Sequence, residues 1–524
     1  MKMPDKLRRV VALLPVAAAA NLFQSVAAAQ VQGPSTLQTP YLLPVVPGVI
    51  TKSIASNGDG SSLAPDETHP RLGGGVYRLV GIPDGMGAYD NGDNTFTLLV
   101  NHELGTTSGA VRSHGTTGAF VSKWNIDKHT LAVNHASDLI TTVAPVAGGA
   151  APFGRFCSAD LAGPGAFYNP ATGLGTQSRL FLNGEETGAE GRAFATVVDG
   201  PNAGTAHYLP AMGRFSWENA VASPHAQDKT IVVGTDDSSP GQVYVYVGNK
   251  TTSGTEIDRA GLNNGRLYGV TVSGAATESR ATGLGAANAT FALTDLSGFA
   301  SGTGAALQTA SAAAGVTEFL RPEDGAWDPR PGKQNDFYFV TTDRFNQPGQ
   351  QGRSRLWRMR FNDIANPESG GVLTMLLYGT QGQQMFDNLC IDSHGRILIQ
   401  EDPGGQSHLA KIWLYDIDSA GLAAVAQFDP ARFGGAAEPF NIDDEESSGI
   451  IDAGSILGDG WFLLDAQAHY SMGGPNASEL VQGGQLLNMY VDPSIVPEPA
   501  GLMLLALATI PLLRRRASAG IGNC

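Results

Sequence analysis

Residues 319–329 read FLRPEDGAWDP, placing an Arg, a Glu and an Asp within four positions between apolar neighbours. In a chain only 16% charged, such a knot of opposite charges calls for a role. It is not alone. Acids close a short apolar run at Glu103 (after Asn101-His102), Glu185-Glu186, Asp236-Asp237, Asp343, Glu401-Asp402 and Asp465. A second set lies upstream of three of these: Glu218 in SWENAV, Glu323-Asp324 in RPEDG and Asp387-Asn388 in FDNL. If the positions converge, the carboxylates cannot all stay ionised, because like charges a few ångströms apart repel strongly in a low dielectric. Bound cations remove that conflict, and oxygen ligands from Asp, Glu and Asn suit hard ions such as Ca²⁺, Mg²⁺ or Mn²⁺. The expected metal ligands are Glu103, Glu185, Glu186, Glu218, Asp236, Asp237, Glu323, Asp324, Asp387, Asn388, Glu401 and Asp402. Taken singly, each acid reads as a turn residue facing water; the repetition is what argues for a site. Asp465, a lone acid after a strand, adds least.

Arg321 stands two residues before Glu323. Its planar fork suits two phosphate oxygens at once, or a salt bridge to a neighbouring acid. Arg321 and Glu323 are the expected catalytic pair. Trp327 reads as packing, His102 as a hydrogen-bonded structural side chain, and Cys390 as core or bridged.

These residues need elements to position them. One pattern recurs: a short β-type run ending in acids, a polar turn, then a second β-type run. The pairs are FTLLVNHEL with AFVSKWNID, RLFLNGEET with RAFATVV, TIVVGTDDSSPG with QVYVYVG, DFYFVTTDRF with SRLWRMRF, RILIQEDPGG with AKIWLYD, and GWFLLDAQ with GQLLNMYVD. Alternation and β-branched or aromatic enrichment mark strands, while Gly, Pro, Ser and Asp mark turns. No long stretch carries helical periodicity, and the 67 glycines suit a fold with many tight turns. The expected fold is all-β, a six-bladed β-propeller with long inter-blade loops. A large β-sandwich satisfies the same local signals. In a propeller, equivalent positions fall on one face around one axis, which would gather the acids. Ser273–Val316, rich in Ala, Gly, Ser and Thr, reads as an inserted loop.

The ends read as addresses. Residues 1–29 have a basic start, an apolar middle and small residues before a cut after Ala29, the pattern of a secretory signal peptide. At the other end, Pro497-Glu498-Pro499, an apolar run from Ala500 to Leu513 and Arg514–Arg516 resemble the PEP-CTERM sorting signal of Gram-negative bacteria. That resemblance implies cleavage by an exosortase and only a transient membrane stay for residues 496–524. Residues 30–495 would then be the exported body, in the periplasm, at the outer surface or in the extracellular matrix. The net charge of −16 argues against nucleic acid as a partner. Cys157, Cys390 and Cys524 are too few for a disulfide framework, though a Cys157–Cys390 bridge stays open. There is no G-x-S-x-G elbow, H-E-x-x-H, C-x-x-C or P-loop.

The order NHEL, NGEE, GRFSWENAVASP, TDDSSPGQVYVYVG, RPEDGAWDP, FDNLCID and GRILIQEDPG, over residues 75–420, resembles the PhoX-type alkaline phosphatases. The resemblance implies a six-bladed propeller hydrolysing phosphate esters at an axial cluster of iron and calcium ions. It matches Glu185, Glu186, Glu218 and Glu323 to acidic metal ligands, Asp236 or Asp237 to the next acid, and Arg321 to a phosphate contact. Two departures stand out. Gly184 takes the place of a Cys whose thiolate holds iron in the family, which favours Ca²⁺ over Fe³⁺ here, and Trp217 takes the place of an expected His. Two readings follow: a metal-dependent phosphatase acting on a phosphate ester, and a non-catalytic, calcium-stabilised surface or matrix protein.

Overall fold

Alternating runs such as TFTLLVNH and KTIVVGTD put one face of each strand into a core and leave backbone donors and acceptors to be paired by neighbours. The computed structural model describes residues 29–58, 66–343, 352–404, 408–434 and 444–498. The expected leader and sorting segment lie outside these, apart from Ala29 and residues 496–498. The fold is nearly all-β. In chain order the strands that build the site are β1 (Pro83–Asp90), β2 (Thr95–His102), β3 (Phe156–Asp160), β4 (Leu180–Glu185), β5 (Trp217–Ala222) and β6 (Lys229–Asp236). They continue as β7 (Pro322–Trp327), β8 (Asp336–Thr341), β9 (Phe386–Ile391), β10 (Arg396–Glu401), β11 (Glu446–Asp452) and β12 (Trp461–Ser471).

Each odd strand pairs antiparallel with the even strand after it. The odd strands also touch in order, β1 to β3 to β5 to β7 to β9 to β11 and back to β1, so they ring a common axis. Four sheets of four or five strands radiate from this ring like blades, led by β1, β3, β9 and β11. β5 and β7 head the two ends of one nine-stranded sheet and lie against each other, so this sheet nearly closes on itself. The architecture is propeller-like, with four blades and one nearly closed barrel sheet, where the sequence suggested six separate blades. The difference comes from Ser273–Val316. It is no loop: it holds the strand Asn288–Asp295 and the helix Gly304–Ala313, and the strand pairs with Gly371–Leu377 to join the two halves. Thr303 caps that helix, its hydroxyl accepting from the Ala306 amide.

Every odd–even pair shares one irregularity. The register jumps by one extra residue between Pro83 and Met86, Phe156 and Ala159, Trp217 and Ala220, Pro322 and Gly325, Phe386 and Leu389, and Ser447 and Ile450. Such a β-bulge bends the strand and re-aims a side chain. The bulged pairs are Asp84-Gly85, Cys157-Ser158, Glu218-Asn219, Glu323-Asp324, Asp387-Asn388 and Ser448-Gly449. Just ahead of four of these strands the backbone is left-handed, at Ile82 (φ 53), Arg155 (φ 39), Arg321 (φ 58) and Met385 (φ 52). There the carbonyl turns to accept from the first residue beyond the even strand. Ile82 O accepts from the Glu103 amide at 2.9 Å, Arg155 O from Glu186 at 2.8 Å, Arg321 O from Thr342 at 3.0 Å, and Met385 O from Asp402 at 2.9 Å. Ser216 O accepts from Asp237 in the same way at 2.9 Å.

Candidate metal centre

The bulges and the residues after the even strands bring two tiers of side chains to the axis. From the bulges come Asp84, Cys157, Glu218, Glu323 and Asp387; from beyond the even strands come Glu103, Glu186, Asp237 and Asp402. Glu446 joins them from the start of β11. Within each of four overlapping groups the ligand atoms lie within 4.8 Å of one another: Asp84–Glu103–Cys157, Cys157–Glu186–Glu218, Glu218–Glu323–Asp387, and Asp387–Asp402–Glu446. Each group shares a member with the next, so the acids form one continuous arc. Neutral side chains complete the circle. Thr342 Oγ1 donates to Glu323 Oε1 at 2.9 Å, and Gln467 Nε2 reaches Asp84 at 3.2 Å and Glu103 at 3.3 Å.

Below this circle the axis is plugged. Asn388 Nδ2 crosses from β9 to Ser158 Oγ on β3 at 2.6 Å, and Ser158 Oγ in turn donates to Glu218 Oε1 at 2.5 Å. Asn219 Nδ2 donates to Asp324 Oδ1 at 2.6 Å. The second bulge residues thus hold the first ones from beneath.

Burial dominates the electrostatics. It pushes the Glu218 carboxyl up to about 8 and that of Asp402 to about 7, with like-charged neighbours adding to it. Asp84, Glu186, Glu323 and Asp387 are raised well above the carboxylate range for the same two reasons, and burial raises the Cys157 thiol. Asp237 goes the other way: burial would raise it, but the charge and hydrogen bonds of Arg321 outweigh burial and hold it low. Cations placed among these groups would reverse the upward shifts. The donor set fits such ions, with many carboxylate oxygens for hard cations and one thiol for a softer one. Asp387 Oδ1, buried and without a hydrogen-bond partner among the described residues, is a ligand atom of the kind a cation would take.

Two arginines stand at the mouth. Arg321 holds Asp237 through Nε at 2.7 Å and Nη2 at 3.0 Å, and reaches Glu323 at 3.0 Å. Arg155 Nη2 contacts Glu103 at 2.5 Å and also Glu186, while its Nε donates to the Glu186 carbonyl at 3.1 Å.

Of the expected ligands, Glu103, Glu186, Glu218, Glu323, Asp387 and Asp402 meet in the arc, while Asp237 stands beside it, held by Arg321. Glu185, Asp236 and Glu401 face away, because each precedes an inward-facing residue by one position and successive strand residues face opposite sides. Glu185 is held by Arg192 Nε and Nη2, both at 2.5 Å, and by the Gly154 amide. Asp236 accepts from Ser238 Oγ at 2.8 Å. Glu401 accepts from His408 at 2.8 Å and Trp413 Nε1 at 2.7 Å, with the Lys411 and Gln384 amides. Asp324 and Asn388 belong to the plug. Asp343 is turned from the axis to Arg280 at 2.8 Å and the Arg353 amide at 2.7 Å, leaving Thr342 to face inward. Asp465 is buried inside β12, two residues short of Gln467. His102 is structural as expected, bonded to Ser122 and stacked on Phe120. Trp327 packs on Phe337 and Phe361. Cys157 and Cys390 are both free thiols, so the bridge left open in the sequence is absent.

Asp84, Glu446, Arg155 and the inward placement of Cys157 are the residues that sequence reasoning did not assign. For Asp84, Arg155 and Cys157 the signal was present. Ile82-Pro83-Asp84, Arg155-Phe156-Cys157, Ser216-Trp217-Glu218, Arg321-Pro322-Glu323 and Met385-Phe386-Asp387 are one motif: a residue just ahead of the strand, a bulky ring, then a ligand atom. Gly184 cannot hold the missing thiol. A Cβ there would lie 2.3 Å from Trp217 Cβ. The thiol enters from the neighbouring β3 instead, with Cys157 Sγ 3.3 Å from Asp84 Oδ2.

A propeller-like β protein with a buried axial arc of acids and a thiol is thus the class that fold and site define. Residues 198–424 match the family model described as alkaline phosphatase PhoX. Among solved structures, Pseudomonas fluorescens PhoX in complex with vanadate, a transition state analogue, is similar over 89% of this chain and 97% of its own, at 14% identity and a TM-score of 0.56. That likeness is one of fold. A putative 6-phosphogluconolactonase from Bacteroides uniformis covers 63% of this chain and 80% of its own, at 11% identity and a TM-score of 0.31. No curated protein matches.

Proposed function

We propose that this chain is an exported, PhoX-like phosphatase that hydrolyses phosphate esters at a cluster of cations on its axis. The observation that carries the reading is the continuous arc of carboxylates and one thiol, capped by Arg321, in a chain whose residues 198–424 match the PhoX family model. Cations held by Asp84, Glu103, Cys157, Glu186, Glu218, Glu323, Asp387, Asp402 and Glu446 would polarise a phosphoryl oxygen and lower the pKa of a bound water. Arg321 orients the ester's phosphate and steadies its developing charge. Glu323 is fixed by Thr342 and Arg321 so that one carboxylate serves both the cation and the guanidinium. Cys157 supports iron beside calcium, since thiolate is a soft, anionic ligand. This weakens the argument that Gly184 made for a calcium-only surface protein.

The nine-stranded sheet reads as two blades joined at their outer strands, which gives six blades in all. Export rests on the leader-like residues 1–29, and an exosortase is the proposed partner of residues 496–524. Among the described residues no helix is long and apolar enough to cross a membrane. The test is p-nitrophenyl phosphate turnover by the purified protein with calcium, iron, both or neither. Turnover requiring metal is expected. Calcium that raises the melting temperature while no metal gives turnover would leave only the structural reading.

A further inference from the structure

Arg155 and Arg321 occupy the same place in two of the repeated units. Each stands two residues ahead of an axial ligand, in Arg155-Phe156-Cys157 and Arg321-Pro322-Glu323. Each is left-handed, at φ 39 and φ 58, a strained backbone region for a non-glycine residue that concentrates at working sites. Their guanidiniums alternate with acids around the mouth: Glu103, Arg155, Glu186, then Asp237, Arg321, Glu323. Neither fork is used up. Arg155 spends Nε and Nη2, Arg321 spends the same two, and among the described residues Nη1 of each makes no hydrogen bond. The side chains keep 48% and 27% of their exposure, so both meet solvent over the cluster. Other basic side chains whose charged atoms contact an acid of the arc are, among the described residues, confined to His469, 3.9 Å from Glu446.

We propose that Arg155 is a second substrate-binding arginine, which with Arg321 forms a two-guanidinium clamp selecting phosphate monoesters over diesters. The inference rests on the phosphatase reading and narrows its substrate class. A monoester phosphate carries up to two charges and three terminal oxygens near neutral pH, enough to engage two planar forks. A diester carries one charge and two such oxygens, and its second ester arm occupies the place of the other fork. Arg155 therefore adds affinity for the monoester that the diester cannot claim.

The experiment uses the full-length protein loaded with calcium and iron, titrated calorimetrically with inorganic phosphate and assayed on p-nitrophenyl phosphate and bis-p-nitrophenyl phosphate. The variants are Arg155→Gln, Arg155→Lys and Arg321→Gln. Arg155→Gln is expected to weaken phosphate binding and monoester kcat/KM roughly 10- to 100-fold, the worth of a lost charge-assisted contact, while diester kcat/KM changes less than about threefold. If Arg155→Gln lowers the melting temperature severely, Arg155→Lys decides the question. It keeps the charge beside Glu103 and Glu186 but not the fork, and it should still shift the monoester-to-diester ratio toward the diester. Unchanged phosphate affinity in Arg155→Gln with Arg321→Gln impaired, or equal losses on both esters, overturns the clamp and leaves the phosphatase reading intact. A native protein that neither binds phosphate nor turns over either ester overturns both.

Discussion

At the scale of single residues, the site separates side chains that differ by one position. Glu323 and Glu401 are both buried acids at strand ends, yet they do different work. Glu323→Gln is expected to lower the calcium-induced rise in melting temperature and the bound-calcium count, since it removes an arc ligand. Glu401→Gln should leave the calcium count unchanged and cost about 1–3 kcal/mol of stability, because His408, Trp413 and two amides lose a charged acceptor. Calcium counts by elemental analysis, with denaturant melts, check the pair; equal calcium loss in both would mean that the arc is drawn wrongly. The thiol permits a similar contrast. Cys157→Ser should abolish iron uptake while sparing calcium. Gly184→Cys, which restores the family's residue by sequence, should gain no iron and lose about 1–3 kcal/mol, since its Cβ meets Trp217 at 2.3 Å. Recovered iron in a Cys157→Ser, Gly184→Cys double variant would reverse this view. The sequence showed the acid pairs Glu185-Glu186, Asp236-Asp237 and Glu401-Asp402 but not which partner faces inward. That depends on register, which no single strand carries.

At the scale of elements, the bulge converts a run of strand residues into a ligand. A strand without it would keep strict alternation, and Glu323 would sit in phase with Gly325 rather than with its counterpart across the turn. Repeating the same extra residue in each odd strand puts first bulge residues on one tier and post-strand residues on the next. The strand pairs were legible because alternation and turn chemistry are local. The bulges were not, because an extra residue is visible only against a paired neighbour. Ser273–Val316 failed for another reason: its small residues look loop-like, yet Asn288–Asp295 pairs on one side with the preceding strand Arg266–Val272 and on the other with Gly371–Leu377 from far along the chain. Thr290→Pro, in the middle of that strand, should cost more than about 1 kcal/mol, because proline is confined to edge strands and this one is paired on both sides. Because the strand lies away from the axis, the bound-metal count should not change. Metal loss at temperatures where the circular dichroism is still native would contradict that separation.

At the scale of the whole molecule, the ring of odd strands concentrates negative charge that the fold alone does not neutralise. Arg155, Arg321 and His469 offset part of it; burial still holds the remaining carboxyls up, Asp402 to about 7 and Glu218 to about 8. A carboxyl raised in the folded state binds its proton more tightly there than in the unfolded chain. Its contribution to stability is therefore complete below the ordinary carboxylate range, near pH 4, and is lost as pH rises through the folded value. In excess EDTA the melting temperature should fall steadily from about pH 5 to above pH 8, as Asp402 and then Glu218 ionise against their neighbours. Saturating calcium should cancel the fall and turn it into a rise, because the ion binds the ionised acids and releases their protons. At a hundredfold excess over its dissociation constant, each cation adds about 2.7 kcal/mol. Melting curves across that range, with and without calcium, decide the matter. Curves that stay parallel would mean the acids are not gathered around a shared ion, and the axial arc would then be a feature of folding without a ligand.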